Sequence, residues 1–437
     1  MFPHSRRRRA AAFTALASVI GLTAACSADS GESNDDGVMA GDITVLTWRT
    51  DLLEDGTLDG YKAEFEKKYP DITVEFEGIT DYEGEVRTRM NTEDYGDVLG
   101  IPGTITPEQL PDFFEPLGTT EELAKEYRFI NDKSYDGNGY GIAVVGNAQG
   151  LVYNTKVWAE AGVTDLPTSP EEFLDALDAI ATTTDAIPLY TNYAANWPVT
   201  QWDAHRGSIT ADEEFNRSLP EDDAPWSEGK DLYVIDSLLW DAVEGGYIEE
   251  DPTTTDWEAS KGMLGSGKIA TMALGSWAIG QMQDAADDPA DIGYMPFPNQ
   301  VDGTFHSIIG GDYNQAINVH SEHKEEARAW IDWFNAESGY AESQGGLSPL
   351  LDGDMPETLA DFEALGDDLV YLEQLPAEPG KETLVTDIDN AAEIGLQKEI
   401  YRKALIDAAR GQTDETKDEF FDDLNTRWAE ARADVMS

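Results

Sequence analysis

Strand-like and helix-like segments alternate near the start of the chain, and this alternation constrains the fold more than any other feature. Residues 43–48 (ITVLTW) have the β-branched composition of a strand, and residues 58–69 repeat large apolar side chains at helical spacing before Pro70. Residues 72–76 alternate as a second strand, and residues 97–101 (DVLGI) supply a third apolar run. This order predicts an open, largely parallel sheet with helices on its faces. Ligands of such sheets bind beyond the carboxyl ends of the strands.

The charge balance excludes several classes of partner. The 437 residues include 87 acidic and 29 basic side chains, for a formal net charge of -58. A surface this acidic repels phosphate polyanions, so we expect no binding to nucleic acid. Because 41% of the residues are hydrophobic, the chain has enough apolar surface for two or three globular domains.

The N-terminus has the features of a bacterial export signal. Four arginines (residues 6–9) precede a short apolar run (residues 10–22) and the small residues before Cys26, which predicts a signal peptide over residues 1–25. Cys26 is the only cysteine, so neither an internal disulfide nor a thiolate metal cluster can form. A lone cysteine at this position resembles a lipidation site, although Thr23 stands where leucine is usual, and ordinary secretion is the alternative. We expect residues 26–41 to form a lipidated, flexible tether.

The stretch 262–277 (GMLGSGKIATMALGSW) fits most of a phosphate-binding loop, but Ile269 stands where Ser or Thr would hold magnesium. A phosphate loop runs from strand to helix, whereas residues 256–264 favour a helix and residues 269–274 a strand. We therefore interpret the glycines as a helix-to-strand turn that carries Trp277. The chain also lacks H-E-x-x-H and G-x-S-x-G motifs. We expect no enzyme activity, no metal and no cofactor.

Six loop and helix segments stand in a characteristic order: residues 47–48, 97–98, 135–154, 161–172, 263–277 and 310–334. In this order they resemble the extracellular solute-binding proteins of ABC importers, in the branch that mostly binds sugars. The resemblance covers nearly the whole exported chain. Two departures, Ala143 in place of a frequent proline and HSEH at residues 320–323 in place of an "SK" pair, weaken any assignment to a subfamily.

The resemblance implies an α/β, two-lobed, periplasmic-binding-protein-like clamp, in which each lobe has a central mostly parallel sheet flanked by helices. Laid on this sequence, lobe one is residues 42–145 plus 297–335, and lobe two is residues 146–296 plus 336–437. Such clamps close by a hinge motion, for which we expect Gly146 and residues 295–298 (MPFP) to supply the flexible positions. The prolines equally suit an edge that cannot be extended.

Sugar sites combine an aromatic face for the ring with carboxylates and amides for the hydroxyls. Four tryptophans, Trp240, Trp330, Trp333 and Trp428, follow helical periods and are expected in the core. Trp48 and Trp277 match the family's cleft, whereas Trp197 and Trp202 suit a core as well as a ligand wall. The glycine pair at residues 310–311 suits either a close backbone approach or a tight turn. The candidate ligand-binding residues are Trp48, Asp51, Asn196, Trp197, Trp202, Asp203, Trp277, Gly311, Asp312 and Tyr313.

The resemblance implies a monomeric receptor, lipid-anchored on the extracellular face of the cell membrane, that captures a sugar or oligosaccharide and delivers it to an ABC permease. One alternative is the same scaffold with a cationic or other small solute, such as a polyamine or a peptide, because acidic and aromatic side chains suit a cation. A secreted glycoside hydrolase is a further alternative, since 87 acidic residues cannot exclude a catalytic carboxylate pair.

Overall fold

A computed structural model describes residues 39–378, 380–396 and 398–437. The expected signal peptide, Cys26 and most of the expected tether lie outside the described residues. Within these three ranges, no helix combines the length and the apolar character needed to cross a bilayer.

Twelve strands are found in the described part of the chain. Nine of them form one sheet, and three short strands, β4 to β6, form a second. Their bounds are β1 Gly41–Thr47, β2 Ile72–Gly78, β3 Val98–Gly100, β4 Gly118–Thr119, β5 Ser134–Tyr135, β6 Asn138–Gly139, β7 Ile142–Asn154, β8 Thr271–Gly275, β9 Ile292–Met295, β10 Gln300–Val301, β11 Thr304–Ile317 and β12 Leu369–Glu373.

Helices surround the sheet and range from one turn to the 19 residues of the last one. Their bounds are α1 Thr50–Glu54, α2 Thr57–Lys68, α3 Tyr82–Arg89, α4 Leu110–Phe113, α5 Thr120–Leu123, α6 Thr155–Glu160, α7 Pro170–Thr183, α8 Trp197–Thr200, α9 Phe215–Ser218, α10 Asp231–Glu244, α11 Trp257–Gly265, α12 Trp277–Ala285, α13 Lys324–Ala336, α14 Tyr340–Ser343, α15 Ala360–Glu363, α16 Leu384–Ala392, α17 Ile400–Ala409 and α18 Lys417–Val435.

The large sheet is mixed, which corrects the expectation of a mostly parallel one. Strand β1 pairs in parallel with β2 and β3, as the alternating segments predict. Beyond β3 the ladders that join β3, β11, β7, β8 and β9 are antiparallel. Parallel pairing is expected where a crossover helix joins two strands. The chain between β3 and β7 holds short helices and the small sheet instead, so the prediction of parallel pairing does not extend beyond β3.

Strand β7 belongs to both halves of the large sheet. Its residues 142–147 pair with β11, and its residues 149–154 pair with β8 and β9. Near this change of partner, the Gly146 N–H donates to the Leu347 carbonyl and the Leu347 N–H donates to the Gly146 carbonyl, both at 2.8 Å. A Cβ at Gly146 would lie 2.4 Å from the Phe129 ring, so a side chain does not fit there. The hinge role of Gly146 stays a prediction.

Two groups of buried apolar side chains lie near opposite ends of β7. One group of buried side chains packs on β1, β2 and β3 and includes Trp330 and Trp333; a second packs on β8, α7 and α10 and includes Trp240 and Trp428. All four tryptophans are at most 4% exposed, which confirms their predicted place in the core. Tyr340 packs with the first group, beside Phe334, although the expected division assigns it to lobe two. The lobe boundaries stay a prediction.

Local sequence signals fix several elements. The Ser169 hydroxyl accepts from the Glu172 N–H at 3.2 Å and caps the start of α7. Helix α11, a glycine turn and strand β8 follow one another over residues 257–275, which confirms the helix-to-strand interpretation of this stretch. The chain then starts α12 at Trp277.

Candidate ligand-binding cleft

An open cleft of about 630 Å³ lies among β7, β11 and the helices that follow β1 and β8. This volume is in the range of small-molecule sites in proteins. Residues from β7 and β11 lie at its base, and the loop after β1, α14 and α12 contribute its walls. The lining side chains are Trp48, Arg49, Asp51, Val144, Val145, Asn147, Trp277, Gly280, Gln281, Asp284, Asp312, Tyr340, Ser343 and Gln344.

Trp48 directly follows β1 and is held by two tyrosines. Its ring stacks on Tyr313 with 4.1 Å between centroids and 20° between planes, and Tyr82 meets it edge-on at 5.7 Å. Gly100 makes room for this arrangement, because a Cβ there would lie 2.7 Å from the Trp48 ring. The indole is thus fixed by its neighbours before any ligand arrives.

Arg49 ties together the wall beside Trp48. Its Nε and Nη2 donate to the two carboxylate oxygens of Asp51 at 2.9 and 2.7 Å. Its Nη1 donates to the Tyr340 hydroxyl at 3.0 Å and also to the Gln344 side-chain oxygen. The guanidinium lowers the pKa of Asp51, so this carboxylate stays ionised well into the acidic range.

Helix α12 presents one face to the cleft. Trp277, Gly280, Gln281 and Asp284 are spaced by three, four and seven residues, so they lie along one side of the helix. This face offers an aromatic ring, an amide and a carboxylate in a row, and the missing side chain of Gly280 leaves space between them.

Asp312 lies on β11 at the base of the cleft. Its side chain is exposed to solvent within the cleft. The surrounding walls reduce the hydration of its carboxylate, and this desolvation raises the pKa of the carboxyl group. With Asp51 and Asp284 it makes the lining acidic, against the single cation Arg49.

The structure brings four of the predicted ligand residues to the lining: Trp48, Asp51, Trp277 and Asp312. Tyr313 lies behind Trp48 and supports its ring. Trp197 lies beside the cleft, where the centroid of its ring is 5.5 Å from that of the Trp277 ring. Asn196 precedes it, and its side-chain oxygen accepts from Lys403 at 2.6 Å.

Three other predicted ligand residues make contacts within the protein instead of lining the cleft. Trp202 is 2% exposed and packs in the apolar core near Phe297. Asp203 forms ion pairs with Arg206 and Arg402. Gly311 donates its N–H to Asp132 at 3.0 Å, and a Cβ there would clash with Ala143. None of these three is among the side chains that line the cleft.

The sequence interpretation did not select several lining residues, among them Arg49, Gln281, Asp284, Tyr340 and Gln344. Gln281 and Asp284 follow from helical spacing once α12 is known to start at Trp277. Tyr340 and Gln344 reach the cleft through contacts with Arg49 some 290 positions away, for which no local signal exists. In the described part of the chain, no group of three or more His, Cys, Asp or Glu side chains is placed to hold a metal ion.

Comparison with known proteins finds that the chain is similar to binding proteins in sequence and in fold. The model of the bacterial extracellular solute-binding protein family matches residues 49–341. A binding protein of an ABC transporter from Bifidobacterium animalis subsp. lactis, solved with mannobiose, is 37% identical, with a TM-score of 0.80 over 90% of this chain and 95% of that one. A manno-oligosaccharide-specific solute-binding protein from the same organism, solved with mannotriose, is 35% identical, with a TM-score of 0.79 over 92% and 96%. The diacetylchitobiose binding protein DasA of Streptomyces coelicolor is 30% identical over 200 residues, which are 41% of this chain and 44% of that protein.

The fold is therefore the two-lobed α/β fold of periplasmic-binding-protein-like receptors. The family match covers more than half of the chain, and the first of these structures is aligned along nearly its whole length. The chain belongs to the bacterial extracellular solute-binding proteins.

Proposed function

We propose that this protein is the sugar-binding receptor of an ABC importer and that its ligand is an oligosaccharide held in the cleft. The observation that carries the proposal is the lining itself: the Trp48 and Trp277 rings lie among Asp51, Asp312, Gln281 and Gln344. Pyranose rings present an apolar face for stacking and hydroxyls that need such partners. Relatives at 35 to 37% identity were solved with mannobiose and mannotriose, which makes mannose oligosaccharides the first ligands to test.

In this proposal Trp48 and Trp277 stack on sugar rings, and the carboxylates of Asp51 and Asp312 accept hydrogen bonds from hydroxyls. Tyr313 keeps the Trp48 ring in place, and Arg49 keeps Asp51 ionised and oriented. We assign Trp202 and Asp203 no ligand contact in this proposal, because Trp202 is buried in the core and Asp203 is paired with Arg402.

The acidic lining favours one further candidate, a cationic solute such as a polyamine. Asp51 is already paired with Arg49, whereas Asp284 and Asp312 form no ion pair within the described ranges. Thermal denaturation with a panel of sugars, amino acids and polyamines separates the two, because a ligand that binds only the folded state raises the melting temperature. We expect a rise with manno-oligosaccharides. A rise with polyamines and with no sugar would contradict the sugar assignment.

Delivery to a permease, lipid attachment at Cys26, the monomeric state and the absence of catalysis are parts of the same proposal. The family is extracellular, and the structure solved with mannobiose is that of a binding protein of an ABC transporter. Mass spectrometry of the mature N-terminus is expected to show a diacylated Cys26, and an unmodified N-terminus would contradict the anchor.

Incubation with mannotriose followed by chromatography is expected to return the intact sugar, and release of mannose would favour a glycoside hydrolase.

Asp312 predicts a pH dependence of binding. Its pKa is raised in the folded protein, so the carboxylate becomes protonated at a higher pH than an exposed aspartate does. The ionised form accepts the stronger hydrogen bonds from hydroxyls, so we expect affinity to be full near neutral pH and to fall as the pH drops through this raised value. Titration calorimetry at a series of pH values measures this dependence. Asp312→Asn, which cannot ionise, is expected to bind more weakly at neutral pH and with a flatter profile; an unaltered profile would contradict the assignment.

A further inference from the structure

One position on the cleft face of α12 carries no side chain. Gly280 is the fourth residue of this helix, and it lies three residues after Trp277 and four before Asp284, which also line the cleft. The other face of the same turn is fixed, because Ile279 and Met282 are at most 1% exposed and pack in the core. The helix therefore presents bare backbone to the cleft at one defined position.

A glycine at this position makes the helix less stable. Glycine is less favourable than alanine inside a helix, because it loses more backbone freedom when the chain folds. A glycine inside a helix therefore calls for a reason in conformation, in packing or in function. Gly280 has helical backbone angles, so its conformation does not require glycine.

Packing does not require glycine there either. A Cβ at Gly280 would meet no heavy atom of the described residues within 4 Å. Two glycines nearby in the chain differ: a Cβ at Gly275 would lie 2.7 Å from the Trp277 ring, and a Cβ at Gly265 would lie 2.7 Å from the Ala286 backbone. Those two glycines serve the fold, whereas the space beside Gly280 opens into the cleft.

The residues around Gly280 suit a flat, hydroxylated ring. Trp277 offers an apolar face on one side, and Gln281 and Asp284 offer an amide and a carboxylate to hydroxyl groups. A glycine allows a ligand to come into contact with the helix backbone itself, and any side chain would take up that space. Gly280 thus sets the width of the cleft on the side of α12.

We infer that Gly280 is a specificity-determining residue, which admits ligands with the breadth of a pyranose ring against α12. This inference rests on the proposed function, because it takes the ligand of the cleft to be a sugar. A side chain at position 280 would narrow the cleft and at the same time favour the helix. Ligand affinity and the stability of the unliganded protein should therefore change in opposite directions, whereas a glycine kept for the fold would move both in the same direction.

Position 60 provides a matched control. Gly60 is also the fourth residue of its helix, α2, and a Cβ there would also meet no heavy atom of the described residues within 4 Å. Gly60 is not among the residues that line the cleft. Gly60→Ala is expected to raise the melting temperature by about 1–2 °C through helix propensity and to change the affinity for sugars by less than about twofold.

The test combines thermal denaturation without ligand and titration calorimetry with mannobiose and mannotriose, both on the full-length exported chain. Gly280→Ala is expected to raise the melting temperature as much as Gly60→Ala does. It is also expected to weaken mannotriose binding by about 5- to 150-fold, the range for an extra carbon forced into a packed site. Gly280→Leu, whose larger side chain also favours a helix, is expected to remove measurable binding.

Three results would overturn the inference. Unchanged affinity in both Gly280→Ala and Gly280→Leu would place the sugar away from this turn and leave the proposed function intact. A lower melting temperature in unliganded Gly280→Ala, beside a rise in Gly60→Ala, would show that the fold itself requires the glycine. If the unaltered protein binds neither mannobiose nor mannotriose, the manno-oligosaccharide assignment fails together with the inference.

Discussion

Replacement of Arg402 with methionine is expected to lower the free energy of unfolding by about 3–5 kcal/mol, the range measured when one partner of a buried ion pair is removed. Arg402 is fully buried, and its Nε donates to Asp236, also fully buried, at 3.0 Å. A second contact at 3.3 Å joins it to Asp203. Without the guanidinium, the Asp236 carboxylate stays in the core, and the donors left to it among the described residues are the Trp226 indole and the Tyr401 hydroxyl.

Urea denaturation monitored by tryptophan fluorescence measures this loss. In Arg402→Met the buried Asp236 binds a proton more tightly in the folded state than in the unfolded state, so the deficit in stability should grow as the pH rises from the acidic range. Lys381→Met breaks an exposed ion pair with Glu221 and is the control, with a change too small to resolve. A loss below about 1 kcal/mol in Arg402→Met would contradict the role of this pair in holding α10 and α17 together.

Trp277→Ala is expected to weaken binding of mannotriose by about 30- to 1000-fold, which corresponds to about 2–4 kcal/mol for the loss of a central aromatic contact. The ring lines the cleft and also connects it to Trp197 and Trp257. Its removal therefore takes away a stacking face and loosens the neighbouring rings. Titration calorimetry gives the change in affinity, and Trp277→Phe is expected to recover part of it.

A variant of a core tryptophan is the control that distinguishes loss of ligand contact from loss of stability. Trp428 is fully buried and donates its Nε1–H to the Asp222 carbonyl at 2.9 Å, remote in the chain from the residues of the cleft. Trp428→Phe is expected to lower the melting temperature and to leave the dissociation constant unchanged. If Trp277→Ala binds mannotriose as well as the unaltered protein does, Trp277 is not a ligand contact.

Local pattern was sufficient for a good part of the fold. The β-branched run before Trp48 and the helical spacing before Pro70 each depend on neighbours within a few residues, and each is found in the structure. The same holds for the turn between α11 and β8, where glycines interrupt an otherwise apolar run. These elements bring Trp48 and Trp277 to the ends of strands, and the resemblance to the solute-binding family adds the expectation that both are cleft residues.

Contacts between distant parts of the chain were not predictable in this way. Asp203 lies in a segment whose aromatic and acidic residues suit a sugar site, but Arg402, 199 positions later, binds it in the core. The antiparallel register of β7 with β11 depends on pairing across more than 150 residues, so the strand-helix alternation gives no information about it. Trp257 meets Trp197 and Trp277 only because α8 and α12 fold beside it.

Titration calorimetry of the exported protein with mannotriose tests the central claim most directly. The account predicts one site per chain, a dissociation constant in the micromolar range or below, and loss of this binding in Trp277→Ala. It also predicts no release of mannose during the titration. Absence of heat with mannotriose and with every other sugar, together with saturable binding of a polyamine at the same cleft, would contradict it.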